Sequence, residues 1–198
     1  DIYSEWASAF LAENDYSYGV TFQMLGYTSC GTTRDYLHSE GIYGWTPEID
    51  GNGFWPAPST IFDLVAENVR PFLYQSYIAG AYLDIQSHTV LGDVLPGNDF
   101  ELAIEVKNVG VGATANDVSV IVSVTNPNVI APTAAGFGAI EAREIASNLN
   151  EPFIFSVSPD MEDGFFEITA TVFLDGVANE SIVIPVFLGE KEILFLDD

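Results

Sequence analysis

The chain has 198 residues, 48% of them hydrophobic, and its 5 Lys and Arg face 29 Asp and Glu, for a formal net charge of −24. That length and apolar content support a packed core and exclude disorder as the default state. The charge argues against nucleic acid as a partner, since its phosphates would be repelled over the whole surface, disfavours an anionic membrane surface for the same reason, and suits a salty or extracellular setting.

Cys30 is the single cysteine, so it forms no internal disulfide and reads as a free thiol. No run approaches the roughly 18 apolar residues that span a bilayer. Asp1 is neither a Met nor the start of a leader, and the strand-like run Ile193-Leu194-Phe195-Leu196 stops at Asp197-Asp198. Both ends are those expected of an internal piece of a longer protein.

In chain order, Ile2, Trp6 and Phe10 recur at helical spacing with Leu11 beside them, which predicts an amphipathic helix over 2–13 that ends near Asn14. From Tyr16 to Asp50, Gly19, Gly26, Gly31, Gly41, Gly44 and Gly51 punctuate short β-branched and aromatic runs, a pattern that predicts short strands and loops. Thr60 and Asp63 form a capping-box pattern after Pro56-Ala57-Pro58. Ile61, Leu64, Val65, Val69, Phe72, Leu73 and Tyr77 then line one stripe of a helix out to about Leu83, with a kink expected at Pro71.

After Ile85 the period changes to alternation. Phe100, Leu102, Ile104 and Val106 fall on one face and Glu101, Ala103, Glu105 and Lys107 on the other. Further strands are predicted at 118–124, 153–157, 166–174 and 182–188, separated by turns such as Asn126-Pro127-Asn128, Asp163-Gly164 and Asp175-Gly176. Strands at this spacing without helices predict an antiparallel sandwich of immunoglobulin-like size, although the Cys and Trp hallmarks of true immunoglobulin domains are absent. The domain boundary is expected near Ser87, giving units 1–88 and 89–198. With 11 acids and 2 bases in the first and 18 acids and 3 bases in the second, charge does not separate them. No internal repeat is present.

The stretch Gly26-Tyr27-Thr28-Ser29-Cys30-Gly31-Thr32-Thr33-Arg34-Asp35-Tyr36, followed by Gly41-Ile42-Tyr43-Gly44-Trp45-Thr46-Pro47-Glu48-Ile49, carries the chemistry. It resembles the end of the metallocarboxypeptidase catalytic domain of the carboxypeptidase A/B/T type. That family has a mobile-loop tyrosine, a small-residue run, an aspartate-aromatic pair, a Gly-Ile-Tyr-like strand entry and then the catalytic glutamate. Gly53-Phe54-Trp55-Pro56 and the helix from about Thr60 match its final loop and terminal helix, so the resemblance covers about 70 residues.

The resemblance implies an α/β fragment, the C-terminal part of an α/β/α sheet domain, and a zinc-dependent hydrolase. It assigns Glu48 as the general base that takes a proton from the attacking water and returns it to the leaving amine. It places Tyr27 on the lid, with its hydroxyl on the terminal carboxylate of the peptide. Arg34, just before the family's aspartate, falls at the base of the pocket for the C-terminal side chain and implies a preference for C-terminal Glu or Asp. An arginine merely exposed beside Asp35 is the competing reading.

The family's His-x-x-Glu pair, its later zinc-binding His and the Asn-Arg pair and further Arg that hold the substrate carboxylate are absent. His38 and His88 lack ligand spacing, so zinc ligands are expected N-terminal to Asp1 and this chain alone is expected to be inactive. Asp160, Glu162 and Asp163 read as a charged hairpin turn rather than a calcium loop, since their spacing matches no EF-hand. Val106-Lys107-Asn108-Val109-Gly110 followed by Asp117-Val118-Ser119-Val120 resembles the adhesion-type sandwich modules beside catalytic domains in secreted bacterial hydrolases.

Two functions from different classes follow. The first is a C-terminal fragment of a secreted zinc carboxypeptidase with an accessory sandwich, its partners being the N-terminal part of the same catalytic domain and a peptide C-terminus. The second is a non-catalytic binding or stabilising sandwich on a carboxypeptidase-like scaffold.

Overall fold

The first helix begins where the sequence supplies a cap. In the computed structural model, which describes residues 1–12, 14, 16–49 and 53–190, Asp1 Oδ1 accepts the Ser4 N–H at 2.8 Å and opens α1 (Ile2–Leu11). The chain divides into two compact units, Asp1–Ser76 and Tyr77–Asp198.

The first unit is helical. α1 buries Trp6, Ala7 and Phe10, the face that the spacing predicts. Tyr43 and Trp45 pack on it: Trp6 meets Tyr43 edge-on with ring centroids 4.9 Å apart, and Phe10 stacks on Trp45 at 6.0 Å. Phe10 also meets Phe72 at 6.2 Å.

Between these contacts the sequence expectation is corrected. Residues 16–49 contain no strand among the described residues; they hold α2 (Thr21–Leu25) and α3 (Thr33–Ser39) instead. Local capping decides this. Gly26 closes α2 in the left-handed conformation at φ 75°, and Thr32 and Asp35 form a reciprocal capping box that opens α3. These glycines and hydroxyls act as helix stops and starts, not strand punctuation.

α4 (Ile61–Ile78) follows a short 3₁₀ turn at Pro58–Thr60 and contains Pro71 within one continuous helix. It ends at Ile78, short of the expected Leu83. Its buried positions are Asn68, Pro71 and Ile78, so it turns most of the predicted apolar stripe to solvent: Ile61, Val65, Val69, Phe72, Leu73 and Tyr77 are all exposed. Asn68 is satisfied by donating to the Leu64 carbonyl at 2.8 Å and to the Tyr16 hydroxyl at 3.3 Å, while Tyr16 donates to Glu67 Oε1 at 2.5 Å. A polar network therefore anchors Tyr16 to this helix.

The second unit is an antiparallel sandwich. One sheet runs β1 (Leu83–Leu91), β2 (Asp99–Asn108), β7 (Phe153–Val157) and β4 (Val129–Ile130), with β6 (Ile145–Ser147) also on β2. The other runs β5 (Ala134–Ile140), β3 (Ala115–Val124), β8 (Gly164–Leu174) and β9 (Val177–Leu188). The alternating residues of β2 face inward as expected: Phe100, Leu102, Ile104 and Val106 are almost fully buried against Val118, Val120, Ile168, Val172 and Ile184. Such a core is what an antiparallel sheet pair with one wet face per sheet produces.

Five predicted strands are present, and β1, β4, β5 and β6 add to them. β1 crosses the expected boundary at 88/89, and the division lies at Ser76/Tyr77, because Leu83 and Ile85 pair with Asn108 and Val106 and belong to the sandwich core. β5 and β6 were hidden from the periodicity by their Gly-Ala composition and short length. Gly51 and the run Ile193–Leu196 lie outside the described residues.

Candidate functional site

Glu48, Tyr27 and Arg34 are each positioned by a different local feature. Tyr27 follows directly on the Gly26 cap of α2 and is exposed. Arg34 is the second residue of α3 and is half-buried. Glu48 lies in the irregular segment after Trp45 and is exposed, next to Ile49. The Gly41-Ile42-Tyr43 strand entry is a coil here; Tyr43 and Trp45 are held by α1, and the Gly44 N–H donates to the Tyr3 hydroxyl at 3.4 Å. Among the described residues no hydrogen bond or ion pair joins these three side chains to one another.

Asp35 is the electrostatically ordered member of this segment. Its Oδ2 accepts the Thr32 backbone N–H at 2.8 Å, and its own N–H donates to Thr32 Oγ1 at 3.4 Å. The Thr32 backbone hydrogen bond, then that with the Thr32 side chain, hold its carboxyl below the ordinary range, and Arg34 adds to this by its charge. Arg34 thus sits beside a fixed negative charge.

The exposed stripe of α4 forms one wall of an open apolar groove. Ile61, Leu64, Val65, Val69, Phe72 and Leu73 line it together with Ile49 and Pro56, so the residue following Glu48 faces the same groove. Phe54 and Trp55, from the Gly53-Phe54-Trp55-Pro56 motif, are 103% and 92% exposed, the extreme among the large apolar side chains of the described residues. Sequence periodicity found the stripe but not that it would be left uncovered.

Among the described residues no three His, Cys, Asp or Glu side chains gather where they could hold a metal ion. His38 and His88 are both exposed, and the acidic residues Asp160, Glu162 and Asp163 fall in the turn between β7 and β8. No helix among the described residues is long and apolar enough to cross a membrane.

No protein-family model and no curated protein matches the chain. Among solved structures it is similar to the CARDB domain of a Pyrococcus furiosus protein, solved in complex with di-metal ions, at 17% identity and TM-score 0.40, over 55% of this chain and 89% of that one. It is also similar to a human ASH/PapD-like domain, at 13% identity and TM-score 0.35 over 57% of this chain and 87% of that one. A third likeness is to a sporulation control protein from Bacillus subtilis, at 19% identity and TM-score 0.32 over 56% of this chain and 50% of that one.

Proposed function

We propose that the first unit is the C-terminal part of the α/β catalytic domain of a secreted, bacterial zinc carboxypeptidase, and that the sandwich is an immunoglobulin-like accessory domain. The ordered motif from Gly26 to Glu48 motivates the reading. The structural observation that supports it is the uncovered apolar stripe of α4. A helix with half-exposed Ile61, Val65, Val69, Phe72 and Leu73 is built to be covered, and a sheet contributed by the preceding part of the domain is the cover this reading supplies.

In this reading Glu48 exchanges a proton with the attacking water and the leaving amine, which requires a carboxylate on a segment free to approach the scissile bond. Zinc, held by residues outside this chain, supplies Lewis acidity when bound. Tyr27 closes over the substrate from the end of α2, and Arg34 pairs with an acidic side chain at the peptide terminus.

The test uses the protein with the residues that precede Asp1. Stoichiometric zinc, release of C-terminal residues from peptides, and a loss on the order of a thousandfold in kcat for Glu48→Gln with zinc retained support the reading. Zinc-free protein without hydrolysis, or full activity in Glu48→Gln, overturns it and favours a non-catalytic scaffold. Within an active protein, equal rates on peptides ending in Glu, Leu and Lys would remove the role of Arg34.

A further inference from the structure

Asn148 is buried at the break between β6 and β7 and uses only half of its side-chain amide. Its backbone N–H donates to the Ile104 carbonyl at 3.3 Å, while its own carbonyl turns away to accept the Glu151 N–H at 2.9 Å. Oδ1 takes the place of that carbonyl and accepts the Ile104 N–H at 2.7 Å. The contact fixes the orientation of the amide, because reversing it would set Nδ2 against another donor. Nδ2 is left without a hydrogen-bond partner among the described residues. A buried donor in that state is costly unless something accepts from it.

Asn148 lines an open cleft of about 590 Å³ that also touches both sheets of the sandwich. One wall is Ala134, Ala135 and Gly136 of β5, the end strand of its sheet, whose outer side pairs with no described strand. Of consecutive strand residues, every second one turns its N–H and C=O outward. The other wall includes Ile154 of β7. The Val157 N–H donates to Asn98 on the β2 side and the Ser158 N–H to Asn128 on the β4 side, so by alternation Ile154 directs its N–H and C=O to the β4 side. β4 ends with Ile130 opposite Ser156. Continued by two residues, that register sets Pro132 opposite Ile154, and proline has no N–H to give.

We propose that this cleft binds an extended, basic peptide segment of a partner protein, with a main-chain carbonyl of the segment accepting from Asn148 Nδ2. An extended backbone brings the alternating N–H and C=O groups that two incompletely paired strand edges call for. The small residues of β5 let it come close, since a Cβ on Gly136 would meet nothing within 4 Å. Phe153, the one aromatic ring among the described lining residues, is buried, so no ring is offered on which a sugar could lie. Glu151 carries the only charge among them, and the chain has a net charge of −24. A segment bearing Lys or Arg is therefore attracted, whereas a second copy of this chain is repelled. The site lies wholly in the sandwich and is independent of the carboxypeptidase reading of the first unit.

Titration of the whole chain with an N-acetylated, C-amidated peptide of alternating Lys and Val, followed by nitrogen-15 NMR, tests this. Saturable shifts are expected at the Asn148 side-chain amide and at the backbone amides of Ala135, Gly136 and Ile154. Gly136→Val fills the open space beside β5, and the φ of Gly136 is not left-handed, so the fold is expected to survive with the rest of the spectrum unchanged. Its affinity for the peptide is expected to fall on the order of tenfold or more, because the branched side chain keeps the second backbone away from the edge.

No saturable shift at these amides, unchanged affinity in Gly136→Val, or equal binding of the peptide with Glu in place of Lys overturns the proposal. So do shifts at the same amides produced by maltohexaose and not by the peptide, which would make the cleft a saccharide site. A long-lived water on the Asn148 amide that persists in the presence of saturating peptide also overturns it, since the donor would then already be satisfied.

Discussion

The backbone of Gly110 passes directly against that of Gly80: a Cβ on Gly110 would stand 2.2 Å from the Gly80 carbonyl oxygen. Neither partner is the flexible end of a side chain, so the clash can be relieved only by moving two backbones apart. Gly110→Ala is therefore expected to destabilise the sandwich by about 1–3 kcal/mol, the range for overpacking a well-packed contact. Urea denaturation monitored by tryptophan-independent far-UV circular dichroism measures it; an unchanged midpoint would mean the two segments are not in contact.

Asn108, two residues earlier, is buried and organises the same corner. Its Oδ1 accepts the Tyr82 and Gly110 N–H groups at 3.2 and 3.1 Å, and its Nδ2 donates to the Ala113 and Ile140 carbonyls at 3.0 and 3.1 Å. Asn108→Ala leaves these groups without partners and is expected to cost about 3 kcal/mol. Asn108→Asp keeps the acceptor but loses the donor and buries a charge, so it should be no better. Rescue of stability by Asp would argue that the two amide donor bonds contribute nothing.

The uncovered stripe of α4 gives a context-dependent expectation. Val69 is half-exposed, so Val69→Asp in this chain should shift stability by less than about 0.5 kcal/mol, as surface changes do. In a protein that includes the preceding residues the same change should cost about 2–3 kcal/mol, because a charge is then buried without a partner. Equal small effects in both contexts would show that the stripe is never covered.

Asp35 should titrate below its ordinary value of 3.8, and Thr32→Ala should move it part of the way back. The movement is partial because the first cause, the Thr32 backbone N–H, survives the substitution. Its folded value being depressed, Asp35 contributes to the α3 cap above pH 3.8 and loses that contribution as pH falls. Carboxyl carbon-13 shifts of both proteins measure this, and no movement in Thr32→Ala would remove the side-chain part of the cap.

Sequence periodicity was most reliable where a single face is buried. Phe100, Leu102, Ile104 and Val106 alternate and are the core of β2; Trp6 and Phe10 recur at helical spacing and are the buried face of α1. It failed where local capping outweighs composition, as at Thr32 and Gly26, which start and stop helices within a stretch whose aromatic and β-branched content suggests strands. The candidate residues Glu48, Tyr27 and Arg34 were legible only through an ordered motif, since nothing in their individual burial or hydrogen bonding marks them.

What the sequence determined by itself is the alternating pattern that makes an antiparallel sandwich, the amphipathic helices and a strongly negative net charge, because these depend on period and charge alone. Only the tertiary structure decided that α4 buries Asn68 and Pro71 while its apolar stripe faces solvent, and that a bulge in β9 turns Asn179 and Glu180 onto the edge of β1. Both depend on which face meets a neighbour. Periodicity identifies a face, but the packing partner decides whether that face is covered.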